Sequence, residues 1–526
     1  MLKHYFLFLL FLIYSIGASC QSLIEHIPDK ASFVFEVNFP EILKSVSLQE
    51  FEESKLGKSM LKEFSKPFDR KMESFSELGV DLNQPQYAFM DFIEGGFAFV
   101  YLFPLNNTDV LEKFIEQKGH NIVRNPGENS AKISSEAIIR WNNNTVALIG
   151  YYNLEMDLLP NYLNIAKNPI INNAQYKKSK QKDAVASLYM GNFDAILDVS
   201  SKMSKKKAED MRTLFGALKD YQSVNMNFTS NEEETMVNFV LNLEKKAARP
   251  YTRMSKGIIN PAFFEYVNLE DCIAYFSSHM NLENTLEEYP DLIKNQYLSL
   301  AGVSNVATEF QLSLEVFKTV IDEKAIGELI KGDMMMALSE LKEMEVEYID
   351  YVYDSNWNRT EIVKTKTELV PDFFAMASVK EGEISDLITK LLLKYHAIEE
   401  MDGYYKLISF RNNSFDLYYM IKNDILFIGT SETQFQKISK GQKVNSTPSD
   451  LRGEISKSQA YVFFAPGKIK PLITNNKQAR MLAEAPDFYF IANKPKKNQY
   501  KSSLVMKTPT QYQNGLSYLF HFFSNL

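Results

Sequence analysis

At 526 residues, with 45% hydrophobic and 24% charged residues, the chain has globular composition and suits two domains of roughly 200–250 residues each. A formal net charge of −8 excludes a general nucleic-acid binder, which needs a basic face to displace counterions from phosphates. The local basic runs, Lys205-Lys206-Lys207 and Lys494 to Lys501, read as solvated surface.

Residues 1–20 read as an export signal. Lys3 and His4 form a small polar start, Tyr5 to Ile16 is an apolar run, and Gly17-Ala18-Ser19-Cys20 is a cleavage-like sequence. The run is too short to cross a bilayer, which takes about 20 helical residues. Cys20 carries two readings. Small residues before a cysteine at the end of an apolar run resemble the lipobox of bacterial lipoproteins, whose cysteine is acylated and becomes the N-terminus, although Gly17 stands where that pattern has an aliphatic residue. The alternative is cleavage after Cys20, with Gln21 as the mature N-terminus. Either reading places the mature protein outside the cytoplasm, in the periplasm or anchored at the outer membrane. It also leaves Cys272 as the one remaining thiol, so no intramolecular disulfide forms. The setting Asp271-Cys272-Ile273-Ala274-Tyr275 reads as the start of an apolar strand with a buried, inert cysteine.

After the signal, Ser32 to Asn38 is an aromatic and β-branched strand, and Pro40 opens a helix carrying Ile42 and Leu43. A similar unit recurs at Asp271 to Leu286. Phe99-Val100-Tyr101-Leu102, with Val110 and Phe114 on a following helix, lines up with Phe373 to Met376 and with Ile384 and Ile388. Two hairpins follow, Ala137–Trp141 with Asn144–Gly150 and Phe415–Ile421 with Asn423–Gly429, in which Asn144 matches Asn423. The clearest repeat runs from Ala184 to Leu197 and from Ala460 to Ile473, a strand passing through Gly191 or Gly467 into a short amphipathic helix. Each half closes on an alternating strand, Thr235–Leu243 or Ser502–Met506.

The tight turns demand antiparallel strands. The expected fold is therefore α+β, internally duplicated, with two tandem lobes that each carry a largely antiparallel sheet with helices packed on one face. The lobes are expected at 21–250 and 262–526, joined by a linker at 251–261 where Gly257 and Pro261 interrupt the pattern. Long helices are expected at Lys202–Leu218 and Glu323–Leu341, the second carrying Met334-Met335-Met336 in the core. A further hairpin pairs Val346–Tyr353 with Thr360–Leu369, and Leu516–Phe523 reads as a terminal helix docked on the second lobe.

No short motif carries chemistry. The six histidines are scattered, with no H-E-x-x-H and no cysteine pair, and phosphate-loop, dinucleotide and nucleophile-elbow patterns are missing, so no metal, cofactor or catalytic residue is expected. Asp354 to Asn358 begins with the oxygen spacing of a calcium loop, but Arg359 stands where glycine is needed and Thr365 where a glutamate is needed. Glu343, Glu345 and Glu347 alternate along a strand, an arrangement that reads as a solvated face and would need a partner across a cleft to hydrolyse sugars. With 38 Phe and 28 Tyr there is an aromatic surplus, and Trp141, Tyr151, Tyr152, Trp357, Tyr404 and Tyr405 are the candidates for an exposed binding face.

The opening Ile27-Pro28-Asp29-Lys30-Ala31-Ser32-Phe33-Val34, followed by repeated strand–helix units, resembles an uncharacterised family of exported proteins of Bacteroidetes-type bacteria, a domain of unknown function. The resemblance implies an envelope location and a tandem α+β architecture, and it assigns no site residues. The expected function is thus a non-enzymatic cell-envelope protein that binds or scaffolds an envelope protein or polymer, tethered to the membrane where Cys20 is acylated. The alternatives are an envelope hydrolase using scattered carboxylates, Glu345 and Glu347 among them, and a carrier with an apolar pocket between sheet and helices.

Overall fold

The computed structural model describes residues 22–65, 72–93, 96–196, 220–288, 330–353, 357, 359–408, 415–443, 447–472 and 485–525. The expected export signal with Cys20 and the expected helix at Lys202–Leu218 lie outside them. The chain divides into two compact units, the first built from residues 1–208, 223–229 and 519–525, the second from 209–222 and 230–518. The fold is α+β, and every strand pairing described is antiparallel.

In the first unit β1 (Phe33–Val37) leads into α1 (Phe39–Ser45), with a proline in its first turn. Helix α2 (Leu48–Glu53) starts where the Ser47 hydroxyl accepts from the Glu50 N–H, and α3 (Lys55–Ser65) follows. Strands β2 (Gln86–Ile93) and β3 (Gly96–Pro104) form a hairpin. Helix α4 (Thr108–Gln117) begins where the Asn107 side chain accepts from the Val110 N–H at 3.2 Å. A meander comes next: β4 (Ile122–Asn125), β5 (Glu128–Ser134), β6 (Ala137–Trp141) and β7 (Thr145–Tyr152). Helix α5 (Ala174–Ser179), β8 (Ala186–Gly191) and β9 (Tyr221–Ser230, of which residues 223–229 belong here) complete the set. Hydrogen bonding orders the strands β4-β5-β6-β7-β3-β2-β1-β8-β9.

The second unit contains β10 (Glu234–Leu243), α6 (Ala248–Met254) and β11 (Ala274–His279), then the long ribbon of β12 (Ile330–Tyr353) and β13 (Arg359–Val379). Helix α7 (Glu383–Lys394) precedes the meander β14 (Ile398–Glu400), β15 (Tyr405–Leu407), β16 (Leu417–Lys422) and β17 (Ile425–Gly429). Then come α8 (Glu432–Ser439), α9 (Ser449–Lys457), β18 (Ser458–Phe464), β19 (Phe488–Asn493) and β20 (Gln499–Lys507), and α10 (Gly515–Asn525) ends the described chain. Their order is β14-β15-β16-β17-β13-β12-β11-β18-β19-β20-β10.

Four expectations need correction. Residues 330–341 are the start of β12, not helix, and 323–329 lie outside the described residues. The methionines show the period: Met335 and Ala337 are buried while Met334 and Met336 are more than 40% exposed, the alternation of a strand held between β11 and β13. An apolar run of this composition satisfies both periods, and strand pairing decides between them. Second, helical segments cover both sheet faces of each unit. Strand β2 buries Tyr87 and Phe89 on one face and Ala88 and Phe92 on the other, so neither face tolerates water. Third, residues 519–525 of α10 belong to the first unit, where the Phe520 ring meets Phe51 at 5.8 Å.

The fourth concerns register. Asn142 and Thr145 flank the turn Asn143-Asn144, and Lys422 and Ile425 flank Asn423-Asp424. The turns therefore equate Asn143, not Asn144, with Asn423. A one-residue slip exchanges the two faces of a strand, so the shift decides which residues of β7 and β17 share an environment. Similarly, Gly191 closes β8, whereas β18 ends at Phe464, before Gly467.

The core of the first unit lies on one sheet face, where Val34, Phe89, Val100 and Ile149 pack beneath Ile24, Tyr162 and Ile170. On the opposite face Phe103 and Trp141 each stand opposite Val146, and the Trp141 indole N–H donates to Glu112 of α4 at 3.3 Å. The corresponding core of the second unit holds Phe374, Met376, Phe427 and Tyr461, covered by Phe263, Phe264, Phe435 of α8 and Ile455 of α9. Residues 251–254 complete α6, and Ile259 is buried in that same core.

Candidate functional site

Alternation along β16 and β17 builds the site. Ile425 and Phe427 are buried in the second unit's core, so Leu426 and Ile428 point to the other face, where Leu417, Tyr419 and Ile421 of β16 join them. Strand β13 adds Val379, and β14 and β15 add Ile398 and Leu407. Helix α7 lies over this floor but does not close on it. Between them is a cavity of about 560 Å³ whose lining contains no charged side chain among the described residues. Helix α7 contributes Ser385, Ile388, Thr389 and Leu392 to its roof.

Both ends of α7 are set by backbone geometry. Gly382 precedes it at φ 156, which a side chain rarely adopts, and its N–H is met by the Ser385 hydroxyl at 3.0 Å. At the other end His396 takes φ 51, with its N–H donating to Leu393 and the Ala397 N–H to Leu392, the paired bonds of a Schellman stop.

The few polar atoms in the wall satisfy one another. The Tyr419 hydroxyl donates to Thr389 Oγ1 at 3.3 Å, Thr389 donates to the Ser385 carbonyl at 3.0 Å, and Ser385 donates to the Gly382 carbonyl at 2.8 Å. Burial raises the Tyr419 phenol above its ordinary value, so it stays protonated. An aliphatic cavity of this volume falls within the usual range for small-ligand sites, about 300–1,000 Å³, and its chemistry suits hydrocarbon.

A second cavity of about 570 Å³ in the same unit has a different character. Tyr275, Tyr461, Phe463 and Tyr489 form its floor, with ring centroids as close as 4.9 Å, and Glu234, Glu270, Glu454 and Lys507 stand around it. Lys507 is already paired with Glu234 at 3.0 Å, and that bond raises its pKa. Among the described residues the first unit buries two carboxylates. Glu36 accepts from the hydroxyls of Tyr87 and Tyr176, and Asp91 accepts from Tyr162 at 3.0 Å, with burial raising the Asp91 pKa. Among the described residues no group of three or more His, Cys, Asp or Glu is placed to hold a metal ion.

The sequence candidates do not form one face. Trp141 and Tyr404 are core residues, fully buried or nearly so, and the Tyr404 hydroxyl donates to Glu432 at 2.7 Å. Tyr151 and Tyr152 are half-buried; Tyr151 donates to the Ser135 carbonyl and Tyr152 stacks on Phe97 at 5.5 Å. Trp357, 82% exposed, sits at the tip of the β12–β13 ribbon. Only Tyr405 touches the cavity wall, stacking on Tyr419 at 5.2 Å. Glu343, Glu345 and Glu347 are exposed on β12 opposite Leu369, Thr367 and Thr365, with no acid facing them across the pair. Cys272 is 1% exposed, and burial pushes its thiol up to about 11.

Sequence reasoning missed the cavity residues. Its one signal was the aliphatic content of α7, where Leu387, Ile388, Leu391, Leu392 and Leu393 spread over more of the helix circumference than a single core-facing stripe uses. No family model, no curated protein and no solved structure matches the chain.

Proposed function

We propose that the protein is an exported, non-enzymatic component of the cell envelope that binds the hydrocarbon portion of a lipid or a similar apolar molecule between α7 and the β13–β17–β16 face. The observation that carries this reading is the uncharged, aliphatic 560 Å³ cavity. A packed core keeps no such void, because each buried methylene left without neighbours forfeits dispersion and burial energy. The hydroxyls in its wall are already bonded, so an apolar guest strands no donor or acceptor there. Each methylene of a guest chain contributes about 0.8 kcal/mol of burial. Envelope location is supported by the apolar run before Cys20, and acylation there would hold the cavity near membrane lipid.

The two units also read as products of an internal duplication. What supports this is the order β4-β5-β6-β7-β3-β2-β1-β8-β9 beside β14-β15-β16-β17-β13-β12-β11-β18-β19, nine strands in the same sequence of neighbours. An experimental structure with a different neighbour order in either set overturns it.

The binding reading is tested with cis-parinaric acid, a fluorescent fatty acid. Full-chain protein is expected to bind it saturably, and Leu426→Glu, which puts a charge on the cavity floor, is expected to lose at least tenfold in affinity. Ile349→Glu on the distant exposed ribbon serves as the control. No saturable binding, or equal binding by all three proteins, overturns the proposal.

A further inference from the structure

The cavity takes only part of the apolar surface of α7. Leu387, Leu391 and Tyr395 lie four residues apart, on one stripe, and are 56%, 43% and 72% exposed. Beside them Ile388 is 42% exposed while also lining the cavity, and across its mouth Ile408 is 48% exposed and lines it too. The outer stripe and the cavity mouth are therefore one continuous apolar surface. Lys390 and Lys394 are exposed on the polar side of the same helix, and the Lys394 ammonium lies 5.9 Å from the Tyr395 ring.

We infer that this face of α7 docks on a lipid bilayer, with the helix lying in the interface and the cavity mouth opening toward the acyl chains. The inference rests on the hydrocarbon-binding reading and names its source. A bilayer fits better than a protein partner on three counts. The stripe is aliphatic with a single terminal tyrosine, the residue type that settles at headgroup level, and it lacks the Trp and Arg anchors of protein hot spots. The two lysines border the stripe where their stems can cover apolar surface while their ammonium groups reach headgroup phosphates. And the surface runs unbroken into a cavity whose chemistry asks for hydrocarbon, which a membrane supplies.

The test uses vesicles of phosphatidylethanolamine and phosphatidylglycerol and the full chain carrying Cys20→Ser, so that no acyl anchor contributes. The protein is expected to float with the vesicles. Leu387→Asp/Leu391→Asp, changes at exposed positions, is expected to reduce partitioning by tenfold or more, since burying each leucine in the interface is worth at least about tenfold. The same double variant should bind cis-parinaric acid without vesicles as the parent does. Absence of flotation, or flotation insensitive to the two substitutions, overturns the docking inference. Loss of parinaric binding by the parent, with flotation intact, instead removes the cavity reading and leaves the docking face.

Discussion

Helices α4 and α7 occupy the same place in their units: each leaves the strand that pairs with the meander, and each lies over that meander. Their surroundings differ. Leu111, Phe114 and Ile115 of α4 are all buried, whereas none of Leu387, Ile388 and Leu391 of α7 is. The cause lies in the sheet beneath. On β3, Tyr101 and Phe103 stand opposite Leu148 and Val146; on β13, Ala375 and Ala377 stand opposite Ile428 and Leu426. Trp141 fills the remaining space under α4. Two alanines stand where the other unit has rings, each paired with a residue of the cavity floor beneath α7. One strand order thus accommodates a packed site and a hollow one, and side-chain volume on a single face selects between them.

The largest expected break in this comparison is at the packed site. Trp141→Ala removes a fully buried ring and leaves Glu112 without its indole donor, and is expected to cost about 3–5 kcal/mol. Urea unfolding checks it. A loss below about 1 kcal/mol would mean that α4 does not depend on the ring beneath it.

Among the described residues each unit also buries one histidine, and these respond to acid alike. His279 is 2% exposed with Nε2 unpartnered among the described residues, and burial, aided by Lys494, lowers its pKa to about 4; burial lowers that of His26 as well. A folded pKa below the ordinary 6.5 means that the unfolded chain binds more protons between those values, so stability rises with pH there. The His279 contribution to stability is therefore expected to be level above about pH 6.5, to fall by up to about 3 kcal/mol toward pH 4, and to level again below. His279→Gln should flatten that slope in a pH series of denaturant melts. A parent protein that gains stability on acidification across this window contradicts the assignment.

How much of this was legible beforehand follows from what each feature depends on. Strands such as β1 and β17 and the β12–β13 ribbon announce themselves by β-branched and aromatic runs between turn residues, which is local information. Residues 330–341 misled because Ile330, Met334, Leu338 and Leu341 fit a helical stripe, while the decision rests with two partner strands far away in sequence. Trp141 and Tyr404 looked like candidate surface aromatics because a strand-end position does not reveal what covers it. The cavity was unreadable for a related reason. The sequence match pairs Tyr101 with Ala375 at a separation of 274 residues, so the loss of volume was visible. Which face those residues occupy was not, and a void exists only if α7 fails to settle into the space.

Restoring the volume sharpens the comparison. Ala377 lies on the same face as Val379, two residues from it on β13, and stands opposite Leu426 of the cavity floor. Ala377→Phe, which supplies the ring that Phe103 provides in the first unit, is expected to weaken cis-parinaric acid binding by tenfold or more without lowering the melting temperature. Filling an existing void needs none of the backbone shift that overpacking a full core imposes. A variant that binds as the parent does, or that melts well below it, would show that the space under α7 is not open to that strand position.

The smallest effect is expected on the outer face of the hollow site, and it separates function from stability. Leu391→Ala removes a side chain that is 43% exposed and packs against no closed core, so its stability change should stay within about 0.5 kcal/mol, against several for Trp141→Ala. A leucine whose removal the fold does not register, on a helix with no buried apolar side chain among the described residues, is held at the surface at a solvation cost with no folding return. If melts show instead that Leu391→Ala costs more than about 1.5 kcal/mol, then α7 is packed after all and both the cavity and its docking face disappear together. If the cost is negligible while vesicle partitioning falls, the apolar face of α7 serves the bilayer and not the core, which is the distinction that the pair of helices was built to reveal.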